Sequence, residues 1–237
     1  MYRLHRAIPV LLCLCLSAGH ALASEPEGRG GGALAEGFSE GFENVNDLVA
    51  QGWVEINNSQ PLGLTDWGQG LVSEFPAHAG PPDSYIAANF NNAGGAGTIS
   101  NWLLTPEIEL RNGTRVEFWT RSTEDNDFPD RLEVRLSTAG DSFDVGLTAL
   151  STGDFGTLLL AINPDLDDDE NYPSIWTRYA LRLSGLPAGA TGRVAFRYFV
   201  ENSGPEGSNG DWIGIDSFRV EQPLFADRFE ASASGTR

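Results

Sequence analysis

The chain runs 237 residues with 33 acidic side chains against 15 basic ones, a formal charge of −18. A polyanion of that strength repels phosphate backbones and anionic membrane faces, which excludes nucleic acid as a partner. Every basic residue is Arg, so lysine Schiff-base chemistry is excluded too.

Met1 to Ala23 reads as a secretory leader. Arg3, His5 and Arg6 make its positive start, Ala7 to Leu16 its apolar run, and Ala21-Leu22-Ala23 its small-residue cleavage site. On that reading the exported chain sheds Cys13 and Cys15 and keeps one histidine, His78, so disulfides, thiolate ligands and multi-histidine metal sites are gone. A Ser-His-Asp machine would have to run through His78. No later stretch approaches the ~20 apolar residues of a membrane span, and the expected product is secreted or held at the cell surface. Ser24 to Glu36, rich in Gly, Glu and Ala, reads as a flexible lead-in.

From residue 37 to 222 short apolar runs are punctuated by Gly, Pro, Asn and Asp, as in an all-β domain. Strands are expected at 37–43, 84–89, 102–110, 115–121, 131–137, 157–162, 177–183, 193–200 and 212–220, with Pro106 breaking the third. Val45 to Ala50 is expected to make one helical turn. In 115–121, Val116, Phe118 and Thr120 alternate with Glu117, Trp119 and Arg121; in 131–137, Leu132, Val134 and Leu136 alternate with Glu133 and Arg135. Period two with one charged face places each on a half-buried antiparallel sheet. In 193–200 both sets are bulky, so both faces of that strand are expected to be covered. The fold class is an all-β, jelly-roll β-sandwich of two antiparallel sheets in a single domain.

Six tryptophans lie beyond the leader: Trp53, Trp67, Trp102, Trp119, Trp176 and Trp212. Exposed indoles stack on sugar rings, while most are expected to pack in the core. Trp67 and Trp176 sit in loop-like surroundings and are the expected ligand-binding pair. Asp165, Asp167 and Asp169 form one acidic loop and Glu124, Asp125, Asp127 and Asp130 another, both read as solvated, since neither has EF-hand spacing. Glu43 ends the first strand and Asp216 lies in the last; terminal strands of a jelly roll can be neighbours, and two carboxylates so placed need a cation or Arg between them. His78 lies in a Pro-rich loop with no nucleophile motif and reads as a surface histidine.

Several runs together resemble the bacterial choice-of-anchor J domains, relatives of the cleaved-adhesin domains of gingipain haemagglutinin regions. They are Gly41-Phe42-Glu43, Gly52-Trp53, Trp67, Ser84-Tyr85, SNWLLTPEIEL from Ser100, RLEVRLST from Arg131, RVAFRYF from Arg193 and DWIGIDSFRV from Asp211. The resemblance covers about residues 37 to 222 and implies a jelly roll related in shape to carbohydrate-binding modules, with structural calcium (Ca2+). Mapped onto this chain, Glu43 and Asp216 are its expected metal positions. The tail, residues 223–237, carries LFADRFE, similar to a short C-terminal motif of exported proteins.

The expected function is an exported, non-catalytic adhesin-like module for a glycan or cell-surface protein. The alternatives are a secreted glycosidase working through carboxylates alone, and a structural module of an envelope or matrix assembly.

Overall fold

The computed structural model describes residues 37–124, 127–167 and 172–223. The expected leader, lead-in and LFADRFE motif, with Asp125 and Asp169 of the acidic loops, lie outside the described residues. In chain order the strands are β1 (Phe38–Glu40), β2 (Val54–Asn57), β3 (Gln60–Leu62), β4 (Gly68–Gln69), β5 (Ile86–Asn89), β6 (Ala93–Leu104) and β7 (Ile108–Leu110). They continue with β8 (Arg115–Ser122), β9 (Leu132–Ser137), β10 (Thr157–Ile162), β11 (Thr177–Arg182), β12 (Ala190–Ser203) and β13 (Trp212–Glu221). One antiparallel sheet has the order β11-β8-β13-β5-β4, with β1 also on β13; the other runs β10-β9-β12-β6-β2, with β3 on β6 and β7 on β12.

Alternation decides what each strand buries. Val116 and Phe118 of β8, Ile213, Ile215, Phe218 and Val220 of β13, and Ile86 and Ala88 of β5 meet Leu132, Val134, Leu136, Val194, Phe196, Tyr198, Val200, Ile99 and Leu103 from the facing sheet in one core. The ring of Phe118 meets Phe196 edge-on at 4.9 Å, which ties the middles of the two sheets.

The nine expected strands are all present. The expected 102–110 strand splits around Pro106 into the end of β6 and β7, as a residue without an N–H requires. The turn near Val45 is a 3-10 turn over Val45–Asp47, capped by the Asn44 side chain. β2, β3 and β4 were not foreseen, and β6 begins at Ala93 rather than Trp102, because the run AGGAGT reads as loop until a neighbouring strand pairs it. The first strand is shorter than expected: it stops at Glu40, and Phe42 takes a left-handed φ of 55°. The expected neighbourhood of terminal strands holds, since Phe38 pairs with Val220 and Glu40 with Phe218.

Candidate binding surface

Loops of the chain itself cover part of the face of each sheet that points away from the core, while Arg178, Ala180 and Arg182 of β11 stay exposed. On the seven-stranded sheet, Val145 and Phe155 from the β9–β10 loop join Trp102, Leu104 and Ala195 in a second apolar cluster. Glu133 and Arg135, expected on a charged solvent face, are therefore largely enclosed, and Arg197 lies on a strand covered on both faces, as expected. Arg197 is 1% exposed; it pairs with Glu133 at 3.0 Å, donates to the Ala149 carbonyl, and lies 3.6 Å over the Phe199 ring. Burial pulls its pKa down to about 10 against the pull of Glu133.

On the six-stranded sheet the β4–β5 loop does the covering. Phe75 stacks on Tyr85 at 4.9 Å, and His78 stacks on Trp119 at 3.7 Å. The Tyr85 hydroxyl donates to the Leu71 carbonyl and accepts from its N–H. Gly214 of β13 makes room: a Cβ there would stand 2.8 Å from Tyr85, 2.9 Å from Phe75 and 3.0 Å from Trp176. His78 is thus a packed residue rather than a free surface histidine.

A β-bulge in β13 between Asp216 and Arg219 turns Asp216 and Ser217 toward that loop, with Ser217 at φ 52°. The Asp216 carboxylate is fully buried, and burial raises its pKa against the backbone donors around it. One oxygen accepts the N–H groups of His78 (2.8 Å) and Ala79 (3.1 Å); the other accepts the N–H and hydroxyl of Ser217. Those four donors match the roughly four lone-pair sites of a carboxylate, so none remains for a cation. Glu43 is exposed and folds back over Gly41. Among the described residues no three Asp, Glu, His or Cys side chains converge as a metal site. The residues at Glu43 and Asp216 do not fit the expected calcium: the charge of Asp216 is met by main-chain N–H groups instead.

His78 Nδ1 also lies 2.9 Å from the Ser217 hydroxyl. Asp216 faces the main chain of His78 and the hydroxyl of Ser217, not the imidazole, so the three residues do not form the relay in which a carboxylate orients the base. Their bonds seat the loop.

The two tryptophans chosen from the sequence part company. Trp67 is 5% exposed and packed in the main core, because its segment folds back as β4 onto β5; the expectation of an exposed indole there is corrected. Trp176 is half-buried. Its N–H donates to the Pro76 carbonyl at 2.8 Å, and its ring meets Phe75 and Tyr85 edge-on, each at 5.6 Å. The indole is held rigid with part of its surface open.

Trp176 stands at the end of the sandwich where β5, β8 and β12 finish and β9, β11 and β13 begin. At that end Phe90, Phe128, Gly204, Pro205, Gly207, Gly210 and Asp211 line a cavity of about 200 Å³. Phe128 is 46% exposed. Gly204 takes φ +98°, and a Cβ on it would lie 2.4 Å from the Gly95 carbonyl oxygen, so the turn can approach β6 only without a side chain. The Asp211 carboxylate accepts from Thr123 at 2.6 Å, and its N–H donates to the buried Asp130 at 2.9 Å. Sequence reasoning passed over Phe90, Phe128 and Asp211; the signal was the glycine spacing at 204, 207 and 210.

Two antiparallel sheets packed around one apolar core define a β-sandwich. A family model described as the Cleaved Adhesin Domain matches residues 37–217, and the chain belongs to that family, as a non-catalytic module of the adhesin type. It is 26% identical over 153 residues to Hemagglutinin A of Porphyromonas gingivalis (strain ATCC BAA-308 / W83), a match spanning 63% of this chain and 7% of that protein. It is similar to the K1 cleaved adhesin domain of Lys-gingipain from Porphyromonas gingivalis W83, at 22% identity and a TM-score of 0.54 over 80% of this chain and 99% of that one. The K2 domain of Lys-gingipain gives 17% identity and a TM-score of 0.51 over 78% and 99%. The resemblance read from the sequence is thereby met on its cleaved-adhesin side. No helix among the described residues is long and apolar enough to cross a membrane.

Proposed function

We propose that the chain is an exported adhesin module that holds a glycan or a cell-surface protein at the loop end of its sandwich, through Trp176 and the Phe90–Phe128 cavity. The observation that carries this reading is the cavity at the loop end, lined by Phe90 and the half-exposed Phe128, while loop residues such as Phe155 and Phe75 pack over parts of the outward sheet faces. At about 200 Å³ the cavity is smaller than the roughly 300–1,000 Å³ of sites for drug-sized ligands. That suits one sugar ring, or one side chain of a protein ligand. Two aromatic walls supply stacking and the Asp211 carboxylate an acceptor for a hydroxyl or amide. Exposed Leu71, Val72 and Ile175 near Trp176 favour the protein ligand as the second reading, since apolar anchors around a rigid indole are the usual hot-spot chemistry.

The test is binding of the 37–223 chain to a glycan array and, in parallel, to proteins displayed on cell surfaces. Trp176→Ala and Phe128→Ala are expected to weaken whichever ligand is found by tenfold or more, as loss of an aromatic anchor does, with circular dichroism unchanged. Absence of binding on both panels, or full binding by both variants, overturns the reading.

A further inference from the structure

The six-stranded sheet ends on β11, whose one strand partner among the described residues is β8. Sheet edges elsewhere are blunted: β1, β2 and β4 are at most four residues long, and β10 carries a bulge between Leu158 and Leu160. β11 has neither device. Its six residues pair with β8 in unbroken register and include no proline. The Leu183 N–H donates to the Thr114 carbonyl at 2.9 Å, and the direction of the main-chain bonds alternates along an antiparallel strand. Thr177, Tyr179 and Leu181 therefore turn their main-chain groups to β8, while Arg178, Ala180 and Arg182 present theirs to the open edge. The same three residues carry the exposed side chains. The charge beside this edge is positive, on a chain of formal charge −18. Arg115 and Arg178 share Glu117, each at 2.5 Å, and Arg115 and Arg219 share Glu221, at 3.7 and 3.3 Å. Arg182 stands directly across from Arg115. Among the described residues it meets no carboxylate, and its guanidinium donates to the Gly113 carbonyl at 3.4 Å. Four arginines thus divide two glutamates, and like charges directly opposite each other on neighbouring strands cost stability until an anion joins them.

We propose that β11 accepts an extended acidic peptide segment of another protein as an added strand. The main-chain groups of Arg178, Ala180 and Arg182 supply the hydrogen bonds, and the side chains at alternate positions supply the selection. Arg178 and Arg182 lie four residues apart on one face, so carboxylates four residues apart in the added strand come opposite both without adjustment. A second copy of this chain is the poorer occupant: two β11 strands laid antiparallel about Ala180 bring Arg178 of one opposite Arg182 of the other, like charge on like. An acidic polysaccharide would meet the guanidiniums but has no main chain to pair the edge. The surface is separate from the Phe90–Phe128 cavity and stands without it.

The test is NMR titration of the isotope-labelled chain with a capped seven-residue peptide of threonine and valine that carries glutamate at its second and sixth positions. Shift changes are expected along β11, with amide exchange slowed at Arg178, Ala180 and Arg182. The same peptide with glutamine for glutamate should bind about fivefold more weakly, as loss of cross-strand charge pairs implies. Ala180→Pro removes the central edge donor, keeps the bonds to β8 and should abolish binding. Arg182→Glu, which decides the matter even where the proline variant fails to fold, should turn the preference toward the peptide with lysine in those positions. Phe128→Ala should bind the peptide unchanged, so failure at the loop end leaves this surface standing. Absence of shift changes on β11, unchanged binding by folded Ala180→Pro, or an unaltered preference in Arg182→Glu overturns the proposal. So does an equal response of the β11 amides to polygalacturonate, which assigns the arginines to a polysaccharide, or a dimer in ultracentrifugation that Ala180→Pro abolishes, which assigns the edge to a second copy.

Discussion

The loop over the seven-stranded sheet is seated by charge, and the loop over the six-stranded sheet by rings. Beneath the first, Arg197 reaches through the sheet face to Glu133, the Ser100 hydroxyl and the Ala149 carbonyl, and Arg135 holds Glu133 from the other side at 2.7 Å. Beneath the second, Phe75, Tyr85 and Trp176 pack around a glycine, and Arg121 lies 4.4 Å over the Phe75 ring. The charged seat is directional: it fails if one partner goes, because an enclosed ion is left alone. The aromatic seat is steric: it tolerates loss of one ring better than intrusion of one atom. At the loop end Phe128, 46% exposed, lines the cavity.

The largest effect is expected from Arg197→Met. It removes the charge that Glu133 is buried against, and breaking a buried pair from one side costs about 3–5 kcal/mol; the remaining partner Arg135 should hold the loss near the lower bound. Urea denaturation measures it, and a loss under about 1 kcal/mol would mean the loop is seated by its apolar residues alone.

Acidification sharpens the picture differently, because the interior holds acids that prefer their protons. Asp130 is fully enclosed, accepts from Tyr198 (2.5 Å) and Ser122 (2.7 Å), and burial pushes it up to about 6 from an ordinary 3.8. A folded-state pKa above the unfolded one means the folded chain holds more protons between the two values, so stability falls as pH rises from about 4 to about 6. A shift of about two units corresponds to roughly 3 kcal/mol, and Glu55 extends the decline to about 7 with a smaller, solvent-screened share. The melting temperature is expected to be several degrees higher at pH 5 than at pH 8. A flat profile across that range would show that Asp130 stays ionised in the fold.

Gly214→Val tests the aromatic seat. Its side chain would enter the space of Tyr85, Phe75 and Trp176, and overpacking of this kind costs about 1–3 kcal/mol. The loop 70–84 should become a site of limited proteolysis while the core melt stays cooperative. The smallest effect belongs to His78→Ala, which removes one ring stack and one hydrogen bond, about 1 kcal/mol; a loss much larger would show that the His78–Ser217 contact holds the β13 bulge itself.

Much of the framework was legible because strand patterning is local. The alternation of Val116, Phe118 and Thr120 with Glu117, Trp119 and Arg121 predicts β8 with its inner face correct, and Pro106 marks the break between β6 and β7. The outer faces were misread for the same reason. Period two announces that Glu133 and Arg135 point away from the core, but a loop arriving from residues 139–156 decides whether that direction is solvent. Trp67 and Trp176 looked alike in sequence, each flanked by turn residues, and only the pairing of β4 with β5 buries the first and leaves the second half open. The Phe90–Phe128 cavity joins three segments far apart in the chain, which no spacing within one of them could reveal.

By itself the sequence determined the chemistry: a strongly acidic chain with one histidine beyond its expected leader, patterned as two antiparallel sheets. Hydrophobic alternation and the absence of a side chain type are properties of each short segment, readable wherever it folds. The tertiary structure alone decided which polar groups find partners. It gave Asp216 four donors and left the buried Asn101 amide oxygen without one, because hydrogen-bond satisfaction depends on which distant backbone arrives beside a side chain, and that is fixed only when the sheets close.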